Sequence, residues 1–287
     1  MRISTFQHAA WTKRDMMRVQ AEVAKNQQKV SSGKKHLRMS DSPLDTGKSL
    51  AIGHTLRQIE QMQRDITDSK NMLSTTETAL TGIQEALDRA NALVIQSLNG
   101  TQSKEDLRTT ATEVEALVKQ VIYLGNTQYD GRYIFGGSDY EQPPFQEDGT
   151  YAGGNKEVSW NIHESYSVTV FHNGNETIAP ALQTLQNIYS QLKNGDIEGL
   201  KSSLEANKSN MEAIISSIGE VGSTSATVQS FDDMLHEQKI TLTEKLSSVE
   251  DVDLAEAISD LSYMNATYQA TLQVVSTMNK VNILNYM

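Results

Sequence analysis

The sequence predicts a mainly α fold: an elongated long-helix coiled-coil bundle formed by both chain ends, with a small β-rich insertion domain. Three observations predict it. Apolar residues recur every seven positions from Ile52 to Val94. Both chain ends carry stripes at the same spacing. Between them, nine of the 17 aromatic residues crowd into positions 129–171, where glycines also concentrate. The boundaries that follow are a terminal coiled-coil domain at 1–42 and 244–287, a helical rod at 43–130 and 179–243, and an outer insertion at 131–178.

The N-terminal stripe comprises Met16, Val19, Val23, Asn26, Val30 and Leu37. It is only partly apolar, and short isolated helices are marginal in water, so it needs a partner. The central heptad reads Ile52, Ile59, Ile66, Leu73, Leu80, Leu87 and Val94. A second row three residues on, Met62, Ser69, Thr76, Ile83 and Ala90, is smaller and more polar. A helix over about 50–97 would be roughly 70 Å long at ~1.5 Å per residue. Asn99-Gly100-Thr101 ends it, and Ser103 with Asp106 forms a capping box for the next helix. That helix presents Leu107, Ala111, Val114, Leu117, Val118 and Val121 on one face. Short strands are predicted at Arg132–Phe135, Glu157–Ile162 and Tyr166–Phe171, with Asp130-Gly131 as a turn. Helical spacing returns over Leu182–Leu192 and Leu200–Ile218, with Gly219 and Gly222 read as a break. A last helical region spans about 224–284, with Leu254, Ile258, Leu261, Met264, Tyr268, Leu272, Val275, Met278 and Val281 as its stripe. Within it Asn265, Gln269 and Thr277 are read as the opposite face.

Charge and composition exclude several functions. The net charge is −11, which argues against non-specific nucleic-acid binding. Nine basic side chains against two acidic ones occupy residues 1–40, while residues 244–260 are acidic, so the basic arm has a complement in its own chain. No apolar run reaches the ~20 residues of a membrane span, and residues 1–8 lack the apolar core of a cleaved secretory signal. With no cysteine there is no disulfide framework, thiolate metal site or thiol nucleophile. The histidines form no H-E-x-x-H pair, since His163-Glu164 lacks the second ligand. Neither a Walker loop nor G-x-G-x-x-G occurs. Asp45-Thr46-Gly47 matches aspartic proteases over three residues only, at a helix start. The expectation is therefore a non-enzyme without cofactor or metal.

Several segments carry a resemblance. Val30-Ser31-Ser32-Gly33-Lys34-Lys35 followed by Ser40-Asp41-Ser42-Pro43 resembles the "LSSGKR…DDP" stretch of the bacterial flagellin family. Ser248–Ala257 resembles its "S-x-x-E-D-x-D-x-A-E-A" segment. Asn126–Gly137 is similar to the "N-T-x-x-x-G-x-Y-L/I-F-G/A-G" turn of members at the hook–filament junction, as is the tail Asn282–Met287 to their "S-L-L/F-D-Y-L" ending. Val30, His36-Leu37, Ser42, Asn282 and Asn285 depart from those patterns. The resemblance implies an extracellular structural subunit of the flagellum, exported through a type III channel with a chaperone. Its implied partners are copies of itself, hook-associated protein 1 and flagellin. The implied assembly interface is Met16, Val19, Val23 and Val30 with Leu254, Ile258, Leu261, Met264, Tyr268, Leu272, Val275 and Met278. The expected rod core is Ile59, Ile66, Leu73, Leu80 and Leu87. The alternatives are a minimal flagellin and a secreted coiled-coil adhesin or effector.

Overall fold

The computed structural model describes residues 2–99, 103–163 and 166–284, with the backbone alone at 2–6, 8, 9, 163 and 278–284. Gly100, Thr101 and Glu164 and the final Asn285-Tyr286-Met287, all used above, lie outside the described residues, as do the side chains of Met278 and Val281. The fold is mainly α. In chain order it comprises α1 (Arg2–Ser32), α2 (Pro43–Leu98), α3 (Lys104–Gly125), β1 (Gln128–Tyr129), β2 (Arg132–Tyr133), β3 (Val158–His163), β4 (Tyr166–Phe171), α4 (Gly174–Thr177), α5 (Ala179–Asn194), α6 (Ile197–Glu250) and α7 (Leu254–Leu284). No helix among the described residues is long and apolar enough to cross a membrane. The chain divides into two compact units, Met1–Ile59 with Glu237–Met287, and Glu60–His236.

In the Glu60–His236 unit, α2 supplies the centre of the core. Ile66, Leu73, Leu80, Leu87 and Val94 are buried, every seventh residue facing inward. Of the second row, Ser69, Thr76, Ile83 and Ala90 are buried too, and Met62 is half-buried. The cost of its two hydroxyls is offset within the helix, because Ser69 Oγ donates to Asp65 O at 2.8 Å and Thr76 Oγ1 to Met72 O at 2.9 Å. From α3 come Leu107, Ala111, Val114 and Val121; from α5, Leu182, Leu185, Ile188 and Leu192; from α6, Leu200, Ile214, Val221 and Val228. The fully buried Asn207 of α6 donates to Leu87 O at 3.0 Å and Asn91 Oδ1 at 2.9 Å, which pins its register against α2.

The Ser103–Asp106 capping box opens α3. Asn126 closes it and bonds twice to Phe145, from Nδ2 to O at 2.8 Å and to Oδ1 from N at 2.9 Å. A Cβ at Gly125 would lie 2.7 Å from the Phe145 ring, so only glycine lets that ring pack there. β1 and β2 pair antiparallel through Asp130-Gly131, both at positive φ (49° and 74°), a type I′ turn. β3 and β4 form a separate antiparallel hairpin with register shifts at Val158/Ser159 and Asn161/His163.

Three sequence expectations are corrected. The helix expected from about 50 begins at Pro43, because proline is pre-shaped for the first helical position. Gly219 and Gly222 do not break α6, which runs through them. Glycine costs a helix about 1 kcal/mol, less than the burial of neighbouring Ile214, Val221 and Val228 returns. The single region expected over 224–284 is instead two helices, parted at Asp251–Asp253. There Asp253 Oδ1 accepts from Ala255 N at 2.9 Å and Glu256 N at 3.2 Å, which caps α7 afresh.

In the other unit, α1 packs against α7. Ile59, at that unit's limit, is buried.

Candidate assembly interface

The pairing of α1 with α7 follows from two matched stripes. On α1 one half-buried stripe comprises Thr12, Met16, Val19, Val23, Asn26 and Val30, spaced four and three alternately, with Lys29 half-buried beside it. On α7 they are Leu261, Met264, Tyr268, Thr271 and Val275, with Ala257 buried at the start. This is an a/d seam on each helix. The seams meet where Asn26 Nδ2 lies 2.8 Å from Met264 Sδ. The polar Asn26 and Thr271 lie within otherwise apolar rows, and such residues fix register at some cost in stability.

A clasp closes one end of the pair. Gly33, at φ +69°, ends α1, and Lys34 then bridges antiparallel to Asp251. Lys35 N donates to Glu250 O at 2.7 Å, and Val252 N to Gly33 O at 2.9 Å. Lys34 Nζ reaches Glu250 Oε2 at 2.7 Å and Asp251 Oδ1 at 2.9 Å, and Ser49 Oγ donates to Glu250 Oε1. The bond from Lys34 holds both carboxyls below their ordinary range, with Ser49 adding to the effect on Glu250. The same two bonds hold Lys34 above the usual lysine value. Asp45, in the three-residue protease match, accepts from Ser42 Oγ at 2.8 Å and lies 3.2 Å from His36 Nε2, so it serves the first turn of α2. The bond from Ser42 lowers its pKa.

The structure places eleven of the twelve residues named for assembly; the side chain of Met278 lies outside the described residues. Met16, Val19, Val23 and Val30 of α1, with Leu261, Met264, Tyr268 and Val275 of α7, are half-buried along the seam. Leu254, Ile258 and Leu272 are instead 51%, 52% and 38% exposed. At about 100° per residue they flank the seam. Asn265 and Gln269 fall beside these three, a correction to the face assigned to them. Thr277 does lie opposite the seam, whereas Tyr263 and Val274, 75% and 56% exposed, flank it on the other side. These two escaped the heptad search because they lie off its stripe; the signal that could have found them is that an assembling helix is apolar on more than one side. The clasp residues Lys34, Glu250 and Asp251 were visible as parts of motif resemblances and of the complementary basic and acidic stretches, not as partners.

A two-helix pair with exposed apolar side chains on both flanks of its seam is an incomplete core. Among the described residues no group of three or more His, Asp or Glu is placed to hold a metal ion.

The family model of the bacterial flagellin N-terminal helical region matches residues 3–139, and that of the bacterial flagellin C-terminal helical region matches residues 204–287. The chain belongs to the bacterial flagellin family of structural flagellar proteins. Within that family it is 24% identical over 314 residues to flagellar hook-associated protein 3 of Escherichia coli (strain K12), with 99% of this chain and 98% of that one covered. The crystal structure of FlgL from Bacillus cereus shares 44% identity over 69% of this chain and 99% of its own, with a TM-score of 0.64. Flagellin of Bacillus subtilis (strain 168) is 24% identical over 276 residues, 89% of each chain.

Proposed function

We propose that this chain is the structural subunit of the external bacterial flagellum that joins the hook-associated protein 1 zone to the flagellin filament. The observation that carries the reading is the incomplete core of α1 and α7. Leu254, Ile258, Leu272, Tyr263 and Val274 stand exposed around a seam that is only half covered. Large exposed apolar surface on a helix pair marks a site of protein association. Its occupants in this reading are neighbouring copies of the chain, hook-associated protein 1 on one side and flagellin on the other, with an export chaperone covering it beforehand. The likeness to hook-associated protein 3 over nearly the whole length of both chains supports the junction role. The role is one of contact and mechanical continuity, and no catalytic step is assigned to the chain.

The assembly interface in this reading comprises the α1 and α7 seam residues with Leu254, Ile258 and Leu272. Ile59, Ile66, Leu73, Leu80 and Leu87 serve as the rod core. Leu272→Asp places a carboxylate where the free chain solvates it and the assembled flagellum does not. Desolvating such a charge costs several kcal/mol per subunit. Electron microscopy of the variant is expected to show hooks without filaments, and the medium is expected to contain unassembled flagellin. Normal filaments on the variant would overturn the junction role. The likeness to flagellin makes a minimal filament subunit the second reading. Extension of purified flagellar seeds by this chain alone into long filaments would favour it.

A further inference from the structure

The aromatic residues of the insertion are more than its core. Trp160 of β3 is part-exposed and sits between two openings on the Glu60–His236 unit. One, of about 470 Å³, is lined by Asp68, Tyr129, Asp130, Arg132, Trp160 and Phe171. The other, of about 440 Å³, is lined by Asp65, Asp68, Ser159, Trp160 and Asn161. They share Trp160 and Asp68, so they form one cleft running past the indole.

The indole is held in place. It meets the buried Phe171 edge-on, with centroids 6.1 Å apart. Phe171 stacks on Tyr140 at 4.5 Å, and the Arg132 guanidinium lies over Tyr140, 5.4 Å from its centroid. A side chain fixed before binding loses little freedom on binding. The type I′ turn holds Asp130 at the rim, with φ at +49° in a residue other than glycine. Asp65 and Asp68 stand three apart on α2 and so share a face. None of this is required by contact between subunits through α1 and α7.

We propose that this cleft binds a neutral oligosaccharide, with a pyranose ring laid on Trp160. A pyranose offers a C–H face to an aromatic ring and a rim of hydroxyls, each both donor and acceptor. The cleft matches both parts. Trp160 supplies the flat apolar surface. Asp65, Asp68 and Asp130 accept from hydroxyls, Arg132 donates, and Asn161 and Ser159 do either. A cationic ligand such as tetralysine would be drawn by three carboxylates against the single Arg132, but it offers no ring to the flat indole face, and the titration includes it as the rival. An acidic sugar would face three carboxylates.

The test is calorimetric titration of the full chain with chitohexaose, maltohexaose and mannohexaose, with hexagalacturonate and tetralysine as charged comparisons. Saturable binding of at least one neutral hexaose is expected below about 10 mM, with none for hexagalacturonate. Trp160→Ala should weaken that binding at least tenfold and Asp68→Ala about fivefold. Asp68 is exposed on α2, where alanine is the best helix former, so Asp68→Ala keeps the fold. The same titration with a glycoprotein carrying the bound sugar, against its deglycosylated form, separates the sources. Binding of both free and protein-borne sugar means that a neighbouring glycoprotein can fill the cleft; binding of the free sugar alone means a soluble saccharide. The proposal is overturned if no neutral hexaose binds by about 10 mM. It is equally overturned if tetralysine binds instead, or if binding survives Asp68→Ala and Trp160→Ala unchanged.

Discussion

Leu73 and Tyr263 are both large side chains on long helices, and the structure gives them opposite tasks. Leu73 is 1% exposed among Ile66, Leu80 and the other inward residues of α2. Leu73→Asp would leave a carboxylate in an apolar core with no partner, and a loss of at least ~3 kcal/mol is expected. A thermal melt of the variant checks it, and an unchanged midpoint would contradict the buried seam. The burial of Leu73 was legible, because its neighbours repeat at seven. The burial of Ser69 and Thr76 in the same helix was legible as position but not as energetics. Only the structure shows each hydroxyl returned to a carbonyl one turn back. Tyr263 was not legible at all, since a single exposed tyrosine on a helix carries no pattern.

At the level of elements, the bond between α1 and α7 at their clasp depends on charge, and its pH dependence has a definite sign. Glu250 and Asp251 titrate below their ordinary range because Lys34 bonds their ionised forms. That stabilisation is present above the ordinary carboxylate values, about 4. It is lost as pH falls through the lowered ones. Lys34, held above the ordinary lysine value, keeps its share at neutral pH and loses it only on the alkaline side. Lys34 is about half exposed, so the ion pair is worth no more than about 1 kcal/mol. Hydrogen exchange at Lys35 and Val252, whose amides cross between the two segments, is the sensitive measurement. Protection of both is expected to fall in Lys34→Ala at neutral pH, while the wild type loses it only in acid. Equal protection in the two proteins would show that the backbone bonds hold the clasp without the charges. Sequence reading set the basic 1–40 stretch against the acidic 244–260 stretch but did not name Lys34 as the partner of Glu250 and Asp251. More than two hundred positions separate Lys34 from Glu250, and heptad spacing carries no information about which residues of the two ends meet. The same limit explains α6 and α7. Two glycines looked like a break and Asp251–Asp253 did not, because packing overrides glycine's helix penalty and a cap needs its geometry to be seen.

For the whole molecule, the contrast lies between a unit with a complete core and a pair of end helices without one. Glu60–His236 buries apolar residues from α2, α3, α5, α6 and the hairpin. The α1–α7 pair leaves Tyr263 and Val274 exposed on one side and Leu254, Ile258 and Leu272 on another. Substitutions there should act on assembly and not on folding. Tyr263→Asp is expected to change the free chain's stability by no more than about 0.5 kcal/mol, as exposed substitutions do. It should nevertheless block incorporation into the flagellum. Melting of the purified variant, together with electron microscopy of cells producing it, checks both halves. A normal filament on Tyr263→Asp with a missing one on Leu272→Asp would confine the contact to the flank that carries Leu272.

The sequence by itself determined the helical class, the inward row of α2, the capping box at Ser103, the turn at Asp130-Gly131 and the membership of the flagellin family. All of these rest on local spacing or on short motifs, which chain order preserves. Tertiary structure alone decided that Asn26 of α1 meets Met264 of α7, that Lys34 bridges Glu250 and Asp251, and which sides of α7 stay uncovered. It alone placed Trp160 of β3 in one cleft with Asp65 and Asp68 of α2. The physical reason is common to all four. Each joins groups far apart along the chain, and such pairings follow from how whole faces are buried together, a property that no single window of sequence contains.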